Sequence, residues 1–308
     1  MDYHQTAFPE AFRRTILGVY KEQGRQWLDG FPQLIKKIEE THKLHVLGPY
    51  PLSYHFVAPV IMGNGTKAVI KLAVSGREMA SEAAVLMNGE GIGMVKLIEH
   101  DAALGMMIME KLEPGHTLAG ISDDENAVRI AASVMSRIWK KPSSGHSFQF
   151  VTDWFQGYGK LRSRFHGGTG SISTRMVELA ERRFSELVRN PRNIYLLHGD
   201  LHHGNILAAE REPWLAIDPK GVLGEREYEV IPYLMNHVPE ERAIEATKRR
   251  VELFAELLQL DASRILLWAY CHAVLSAWWH IEDETGGEEA SISAAERFDR
   301  LIQGGGTI

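Results

Sequence analysis

The pattern of apolar residues changes once along this chain, and that change limits the folds that the chain can adopt. The first third contains short runs rich in Val and Ile, which predict strands because β-branched side chains pack well on a pleated surface. After Pro114-Gly115 the apolar residues recur at helical spacing, as in Ala262–Trp279. Strands followed by helices, without regular alternation, predict an α+β chain with two lobes. The predicted strands cover residues 45–47, 54–62, 68–74, 94–99 and 104–110.

Turn and cap residues predict where several elements begin and end. Asn64-Gly65 lies between two predicted strands and indicates a hairpin with a type I′ turn, since both residues tolerate a positive φ. Ser122, with Glu125 three residues later, predicts a capping box that opens a helix running through Trp139. Further helices are predicted over residues 77–87, 176–188, 240–258 and 262–279.

The first 43 residues predict a helical extension. Apolar residues recur at helical spacing from Thr15 to Glu40, and the pattern is interrupted by Gly30 and Pro32, so two helices are expected there. We therefore divide the chain into an N-terminal part, residues 1–112, and a helical C-terminal part, residues 113–308. The N-terminal part consists of the extension, 1–43, and a sheet, 44–112.

Composition excludes several classes of protein. The 308 residues include 34 Lys+Arg and 40 Asp+Glu, which gives a formal net charge of −6, whereas a nucleic-acid-binding chain needs clustered basic residues. The most apolar stretch, residues 265–281, contains polar side chains and is shorter than the roughly 20 apolar residues of a membrane span. The single cysteine, Cys271, cannot form an intramolecular disulfide, and the first residues do not resemble a signal peptide. We expect a cytoplasmic protein without nucleic-acid or membrane partners.

Polar residues with a recognisable chemistry cluster in Leu196–Gly224. Asp200 and Asn205 lie five residues apart in a glycine-containing loop, and Asp218 follows the second of two short apolar strands. Phosphoryl transfer needs a group that orients the acceptor hydroxyl, together with hard oxygen ligands for Mg²⁺. These three side chains are of the types that supply both, so this segment is the candidate catalytic site.

A lysine in the predicted sheet supplies a candidate cation. Lys71 lies in the apolar run Ala68–Ala73, where a lone ammonium group is costly unless it meets a charge. Glu82, on the following predicted helix, can provide a carboxylate that holds this ammonium group against nucleotide phosphates. Glu78 lies one helical turn away on the same face and is the alternative.

Several motifs resemble the antibiotic kinases of the protein-kinase-like fold. They are Val-Ile-Lys at 69–71, His-Gly-Asp at 198–200 with Asn205, and Asp-Pro-Lys-Gly at 218–221. The sequence is most similar to the aminoglycoside/hydroxyurea antibiotic resistance kinase family, and matching pieces extend from about residue 45 to residue 280. The resemblance implies a protein-kinase-like two-lobed fold, with an antiparallel sheet in the N-terminal lobe and the catalytic loop and acceptor site in the larger helical lobe.

The same resemblance implies roles for individual residues. Asp200 would be the catalytic base, Asn205 and Asp218 would bind Mg²⁺, and Lys71, paired with Glu82, would bind the phosphates of ATP or GTP.

Two further nucleotide contacts follow from the resemblance. The strand end 109–112 would form a hinge whose backbone, at Glu110 and Leu112, receives adenine. Because no Gly-x-Gly-x-x-Gly motif precedes Lys71, the loop that covers the phosphates would be Gly48–Tyr54, with Ser53 as its candidate contact. Glu229 stands where relatives often carry an aspartate, and we assign it no catalytic role.

The implied activity is transfer of the γ-phosphate of a nucleotide to an alcohol, with a streptomycin-like aminoglycoside as the expected acceptor. The acidic residues at 282–284 and 288–289 are compatible with a cationic acceptor. A kinase of another small metabolite hydroxyl, a kinase of protein hydroxyls and a non-catalytic nucleotide-binding module are the alternatives. The short interval from Asp218 to Gly224 disfavours a protein kinase, which needs a long activation segment.

Two other patterns receive structural interpretations. His198, His202 and His203 suggest a zinc site, but no His-Glu-x-x-His motif or nearby cysteine supports one, and His198 is instead expected to brace the loop by hydrogen bonding. The tryptophans at 268, 278 and 279 lie at helical positions and are interpreted as core residues, with a platform for a ligand as the alternative.

Overall fold

A computed structural model describes residues 8–74, 77–142 and 148–304 of the chain, without the side chains of Arg77 and Glu78. These residues form two compact units. The first runs to Gly115 and includes Ala209–Arg211, and the second comprises His116–Ala208 and the residues from Glu212 onward. Among the described helices, none combines the length and apolar character that a bilayer span requires.

An antiparallel sheet of five strands dominates the described part of the first unit, in the order β1-β2-β3-β5-β4. This sheet confirms the predicted antiparallel N-terminal lobe. Its strands are β1 (Leu44–Val46), β2 (Phe56–Met62), β3 (Lys67–Leu72), β4 (Leu97–Asp101) and β5 (Met106–Glu110), and it is accompanied by helices α1 (Glu10–His42) and α2 (Arg77–Gly89).

One face of this sheet forms an apolar core with α1. Alternate residues of β2 and β3, such as Phe56 and Ile70, are at most 1% exposed and contact Phe31 and Ile35 of α1. The alternation follows from the two-residue period of a strand. The same period directs Lys71, between Ile70 and Leu72, to the opposite face.

The break in α1 differs from the predicted one. The helix departs from helical geometry at Lys21 (φ 50°, ψ −123°), whereas Gly30 and Pro32 lie inside its second segment. Phe31 and Ile35 are buried against the sheet on either side of Pro32, and this packing compensates for the missing N–H of proline. Beyond the kink the two segments approach closely, because a Cβ at Gly24 would lie only 2.6 Å from the carbonyl oxygen of Ile16.

Two local turn predictions also need correction. The hairpin at residues 62–66 is present, but only Gly65 of the Asn64-Gly65 pair has a positive φ (84°), so the turn is not type I′. The side chain of Asn64 instead accepts a hydrogen bond from Thr66 N at 2.9 Å. The next helix begins at Asp124, and its N-cap is Asp123, which accepts a hydrogen bond from Asn126 N, so Ser122 forms no capping box.

The second unit is mainly helical and contains two short sheets in its described part. One sheet has the order β10-β9-β6 and the other the order β7-β11-β8. The strands are β6 (Pro114–Thr117, which begins in the first unit), β7 (Gln149–Phe150), β8 (Tyr195–Leu197), β9 (Ile206–Ala209), β10 (Trp214–Ala216) and β11 (Val222–Gly224). The helices are α3 (Asp124–Ile138), α4 (Val151–Trp154), α5 (Gly157–Arg164), α6 (Thr174–Arg189), α7 (Arg226–Glu229), α8 (Ile231–Met235), α9 (Ala243–Leu258), α10 (Ala262–Glu282) and α11 (Glu288–Gly304).

Helix α10 is the centre of this unit and packs against α6, α9 and α11. Its residues are buried on most sides, which confirms the interpretation of this apolar stretch as a core helix. Cys271 lies in its middle, fully buried, with Sγ 3.5 Å from the carbonyl oxygen of Ala180.

The close contact in α1 generates a prediction for two glycines of one helix. Gly24→Ala should lower the free energy of unfolding by about 1–3 kcal/mol, because the new methyl group would overlap the Ile16 carbonyl oxygen. Gly30→Ala should raise it by about 0.5–1 kcal/mol, since no atom lies within 4 Å of that site and alanine is the better helix former. Urea unfolding of both variants measures the difference. Equal effects at the two positions would contradict the close approach of the two segments.

Candidate active site

The loop between β8 and β9 holds the candidate catalytic residue Asp200. It begins with Gly199, whose φ is 83° and where a Cβ would lie 2.8 Å from the side chain of Val222. Only glycine fits both the conformation and the space. Asp200 follows as a half-buried residue, with one carboxylate oxygen 4.0 Å from His202 Nε2.

His198 braces this loop, as expected. Its Nε2–H donates to the carbonyl oxygen of Ile217 at 2.8 Å, and its Nδ1 accepts the backbone N–H of Asp200 at 3.3 Å. Burial lowers the pKa of His198 to about 4, so the ring is neutral near pH 7 and can make both bonds. The imidazole thereby ties the residue before Asp218 to Asp200.

The backbone strengthens the same connection. The carbonyl oxygen of His198 accepts hydrogen bonds from Lys220 N at 2.8 Å and from Gly221 N at 3.1 Å. Asp218 itself has a left-handed backbone (φ 64°), which aspartate tolerates better than most residues. Hydrogen bonds from the residues on both sides of it therefore hold Asp218 beside the loop.

Asn205 is oriented by two contacts with the same loop. Its side-chain Nδ2 donates to the carbonyl oxygen of Asp200 at 2.9 Å, and its backbone carbonyl accepts from Ile217 N at 2.9 Å. Because the amide nitrogen bonds a carbonyl group, the amide oxygen is the atom that can act as a ligand. Asn205 and Asp218 therefore present an amide oxygen and a carboxylate, a donor set that fits Mg²⁺.

The three histidines of the loop have separate partners. His202 accepts the N–H of Gly204 at its Nδ1, and His203 is buried with its ring stacked on Tyr233 at 3.9 Å. Burial lowers the pKa of His203 to about 3. Within the described residues no group of three or more His, Cys, Asp or Glu side chains has the arrangement of a metal site.

Glu229 binds the backbone of the loop that carries Asp200, a role that the sequence analysis did not predict. Its two carboxylate oxygens accept the backbone N–H groups of His198 at 2.7 Å and of Gly199 at 2.9 Å, and its side chain is fully buried. Burial raises the pKa of Glu229 to about 7, although the two N–H donors act in the opposite direction. We identify Glu229 as a positioning residue for the loop that carries Asp200.

In the first unit, Lys71 and Glu82 form a buried ion pair. Lys71 Nζ lies 2.6 Å from Glu82 Oε2, and the two residues are 4% and 3% exposed. The pair gives Lys71 the charge that its position in a strand requires. Glu82 is thus a carboxylate in contact with Lys71, and the side chain of the alternative, Glu78, lies outside the described residues.

The predicted hinge residue Glu110 is engaged by both its backbone and its side chain. Its N–H donates to the carbonyl oxygen of Lys96 at 3.0 Å, and its carboxylate binds Arg211 Nη2 at 2.6 Å and Lys96 N at 2.8 Å. Its carbonyl oxygen is therefore the group by which Glu110 could contact adenine. At Leu112, the other predicted hinge residue, the backbone carbonyl oxygen approaches Gly115 closely. A Cβ added to that glycine would lie only 2.7 Å from this oxygen.

The candidate covering loop carries Ser53 at an exposed position. Tyr50 N donates to Val57 O at 2.9 Å, which ties the loop to the start of β2. This strand turn is the candidate for the place of the glycine-rich loop that the sequence lacks.

Sequence reasoning missed two residues of this region. For Glu229 a signal was present, because it occupies a motif position where relatives often carry aspartate. Arg211 gave no signal in its short polar loop, yet it donates to the carbonyl oxygens of Gly91 at 2.7 Å and Met94 at 3.0 Å as well as to Glu110.

Glu229 generates a prediction for the pH dependence of stability. Because its pKa is raised from 4.5 to about 7 in the folded protein, the folded state binds this proton more tightly than the unfolded chain does. Its contribution to the free energy of unfolding is present below pH 4.5 and is lost as the pH rises through 7. The difference between wild type and Glu229→Gln should therefore fall by up to about 3 kcal/mol from pH 4.5 to pH 8.

Urea unfolding at a series of pH values measures this difference. Glu227→Gln is the control for removal of a buried carboxylate from the same helix, since Glu227 pairs with Arg192 instead of the loop. A difference for Glu229→Gln that does not change with pH would contradict the assignment.

Comparison with known proteins shows the family. A family profile described as aminoglycoside/hydroxyurea antibiotic resistance kinase matches residues 53–284. Streptomycin 6-kinase of Streptomyces glaucescens is 29% identical over 96% of this chain and 97% of its own length. Hydroxyurea phosphotransferase of Kitasatospora aureofaciens is 32% identical over 89% of this chain and 80% of its own length.

Solved structures show the same fold at low identity. The choline kinase LicA of Streptococcus pneumoniae has a TM-score of 0.65 at 12% identity and covers 90% of this chain and 99% of its own. Aminoglycoside phosphotransferase APH(4)-Ia, solved with ADP and hygromycin B, has a TM-score of 0.63 at 13% identity and covers 89% of this chain and 99% of its own. These neighbours confirm the predicted protein-kinase-like fold. The chain therefore belongs to the aminoglycoside/hydroxyurea antibiotic resistance kinase family.

Proposed function

We propose that this protein transfers the γ-phosphate of ATP to a hydroxyl group of a streptomycin-like aminoglycoside. The observation that carries the proposal is the hydrogen-bonded frame that orients Asp200, Asn205 and Asp218 through His198 and Ile217. Similarity to streptomycin 6-kinases over nearly the whole chain supports the choice of acceptor. The net charge of −6 favours binding of a cationic small molecule.

Asp200 is the proposed catalytic base. The acceptor hydroxyl oxygen would form a bond to the γ-phosphorus while the bond from that phosphorus to the bridging β,γ-oxygen breaks. ADP leaves with the electron pair of the broken bond, and the hydroxyl proton passes to the Asp200 carboxylate. Asp200 is half-buried, so its carboxylate can meet a substrate while His198 binds its backbone N–H and Glu229 binds the backbone N–H groups of His198 and Gly199.

Lys71 is the proposed anchor for the nucleotide phosphates, and Glu82 holds its ammonium group. The carbonyl oxygen of Glu110 and the backbone of Leu112 are the proposed adenine contacts, and Ser53 is the proposed contact of the covering loop. GTP in place of ATP would use the same phosphate contacts.

Asn205 and Asp218 would hold Mg²⁺ through an amide oxygen and a carboxylate oxygen. When bound, the ion supplies positive charge that neutralises the phosphate oxygens. The chain prepares this site in two ways. A hydrogen bond orients the side chain of Asn205, and a left-handed backbone positions Asp218.

A second candidate acceptor is a smaller hydroxyl compound such as hydroxyurea. A hydroxyurea phosphotransferase is 32% identical over 89% of this chain, which is as similar as the streptomycin kinases. A non-catalytic nucleotide-binding module is disfavoured, because binding alone does not require a base at Asp200.

An ADP-release assay over streptomycin, amine-bearing aminoglycosides and hydroxyurea tests the proposal. We expect turnover of streptomycin and a loss of about 10²–10⁴-fold in kcat for Asp200→Asn, with ADP binding unchanged. The isosteric amide keeps the shape of the side chain and removes its basicity. Turnover of another alcohol, with none of any aminoglycoside, would reject this acceptor class.

Magnesium dependence tests Asp218. Asp218→Asn should raise the Mg²⁺ concentration needed for half-maximal activity by at least about tenfold, because a neutral amide replaces a carboxylate ligand. Asparagine tolerates the same left-handed backbone, so stability in urea should stay close to that of the wild type. Asp153→Asn, which changes a carboxylate at the start of α4, is the control. An unchanged Mg²⁺ requirement would contradict the role of Asp218.

A further inference from the structure

Four aromatic side chains of the second unit form a continuous cluster, which we call the aromatic wall. Trp154, Tyr228, His272 and Trp279 meet edge to face. The ring centroids are 5.8 Å apart for Trp154–Trp279, 5.6 Å for Trp279–His272, 5.4 Å for His272–Tyr228 and 6.1 Å for Tyr228–Trp154. Helices α4, α7 and α10 each contribute to the wall, so its shape depends on the packing of this unit.

The aromatic wall adjoins the loop that carries the proposed base. A Cβ on Gly199 would lie 3.6 Å from Trp154 Cη2. Burial raises the pKa of Tyr228 well above its ordinary value, and the Asp200 carboxylate is close enough to add to the shift. The wall therefore lies within one residue of Asp200.

The exposure of these rings differs from that of core aromatic residues. Trp268 and Trp278, on the same helix as Trp279, are 3% and 2% exposed, as the interpretation of them as core residues predicted. Trp154, His272 and Trp279 are instead half-buried. Trp279 is therefore less buried than the two core tryptophans, which favours the alternative interpretation of it as a platform for a ligand.

The chemistry of the aromatic wall suits a flat cation. Burial lowers the pKa of His272 to about 4, so its ring is neutral near pH 7. The Tyr228 hydroxyl and His272 Nδ1 form a hydrogen bond, which fixes these two rings relative to each other. The faces of Trp rings attract cations, and among the described residues the cation–ring contacts fall on other aromatic side chains.

We propose that the aromatic wall is an acceptor subsite that binds a planar cationic group of the guanidinium class and presents the neighbouring hydroxyl to Asp200. A guanidinium ion can stack flat on Trp154 or Trp279, which a tetrahedral ammonium ion cannot. Streptomycin carries guanidinium groups on its cyclitol ring, so the inference rests on the proposed function and specifies how that acceptor is held. Amine-bearing aminoglycosides would gain less from the wall.

The test compares KM with kcat. Trp279→Ala and Trp154→Ala should each raise the KM for streptomycin at least tenfold and change kcat less than threefold, while ADP binding stays unchanged. Trp279→Phe, which keeps an aromatic face, should stay within about threefold of the wild type. Phe150→Ala removes an exposed aromatic side chain at the start of α4 outside the wall and should leave the KM unchanged. An unchanged KM in both tryptophan variants would overturn the inference.

A second variant and a binding measurement keep the test decisive. Trp279→Leu retains apolar volume but lacks a ring, so it should bind streptomycin as weakly as Trp279→Ala even if the alanine variant folds poorly. Calorimetric titration of streptomycin without nucleotide separates the two proposals. Weaker binding by Trp279→Leu without turnover by the wild type supports the subsite and rejects the proposed reaction. If the wild type turns over streptomycin and Trp279→Leu binds it as tightly as the wild type does, the reaction is supported and the subsite is rejected.

Discussion

The candidate site depends on one buried carboxylate that binds the backbone of a loop. Glu229 accepts the N–H groups of His198 and Gly199, and these two residues would otherwise bury unpaired donors directly before Asp200. The price is a charged group in a fully buried position, which is why burial raises its pKa to about 7. While Glu229 binds the backbone N–H of His198, the ring of His198 binds Ile217 and Asp200. The same set of hydrogen bonds also holds Asn205 and Asp218 in place.

Much of the fold could be predicted because its signals are local. The Val- and Ile-rich runs gave the five strands of the first unit within about two or three residues, and the apolar stretch at 265–281 gave the core helix α10. The break in α1 could not be located, because it depends on how Gly24 contacts Ile16 and how the sheet holds the helix around Pro32. The turn at Asn64 and the cap at Asp123 show that sequence patterns do not fix the type of a turn or the exact residue that caps a helix.

The candidate site was predictable in its chemistry and less so in its supports. Residue type and spacing made Lys71, Asp200, Asn205 and Asp218 candidates, and the family resemblance implied their roles and favoured Glu82. The structure gives Lys71 and Glu82 a direct contact, and the roles stay predictions. The residues that were missed act through backbone groups. Glu229 and Arg211 recognise N–H and carbonyl groups of loops, and a backbone group leaves no mark in the sequence of the segment that carries it. Helical spacing alone could not separate Trp279 from the more deeply buried Trp268 and Trp278, because it does not reveal how deeply each turn of a helix is buried.

The left-handed backbone of Asp218 has an evolutionary consequence. Few amino acids accept this conformation, and the most similar one that does, asparagine, can arise from aspartate by a single nucleotide change. Such a replacement would keep the turn and the fold while removing the negative charge. Under the proposed role of Asp218, a single base change therefore separates this chain from a folded protein whose magnesium site is weakened.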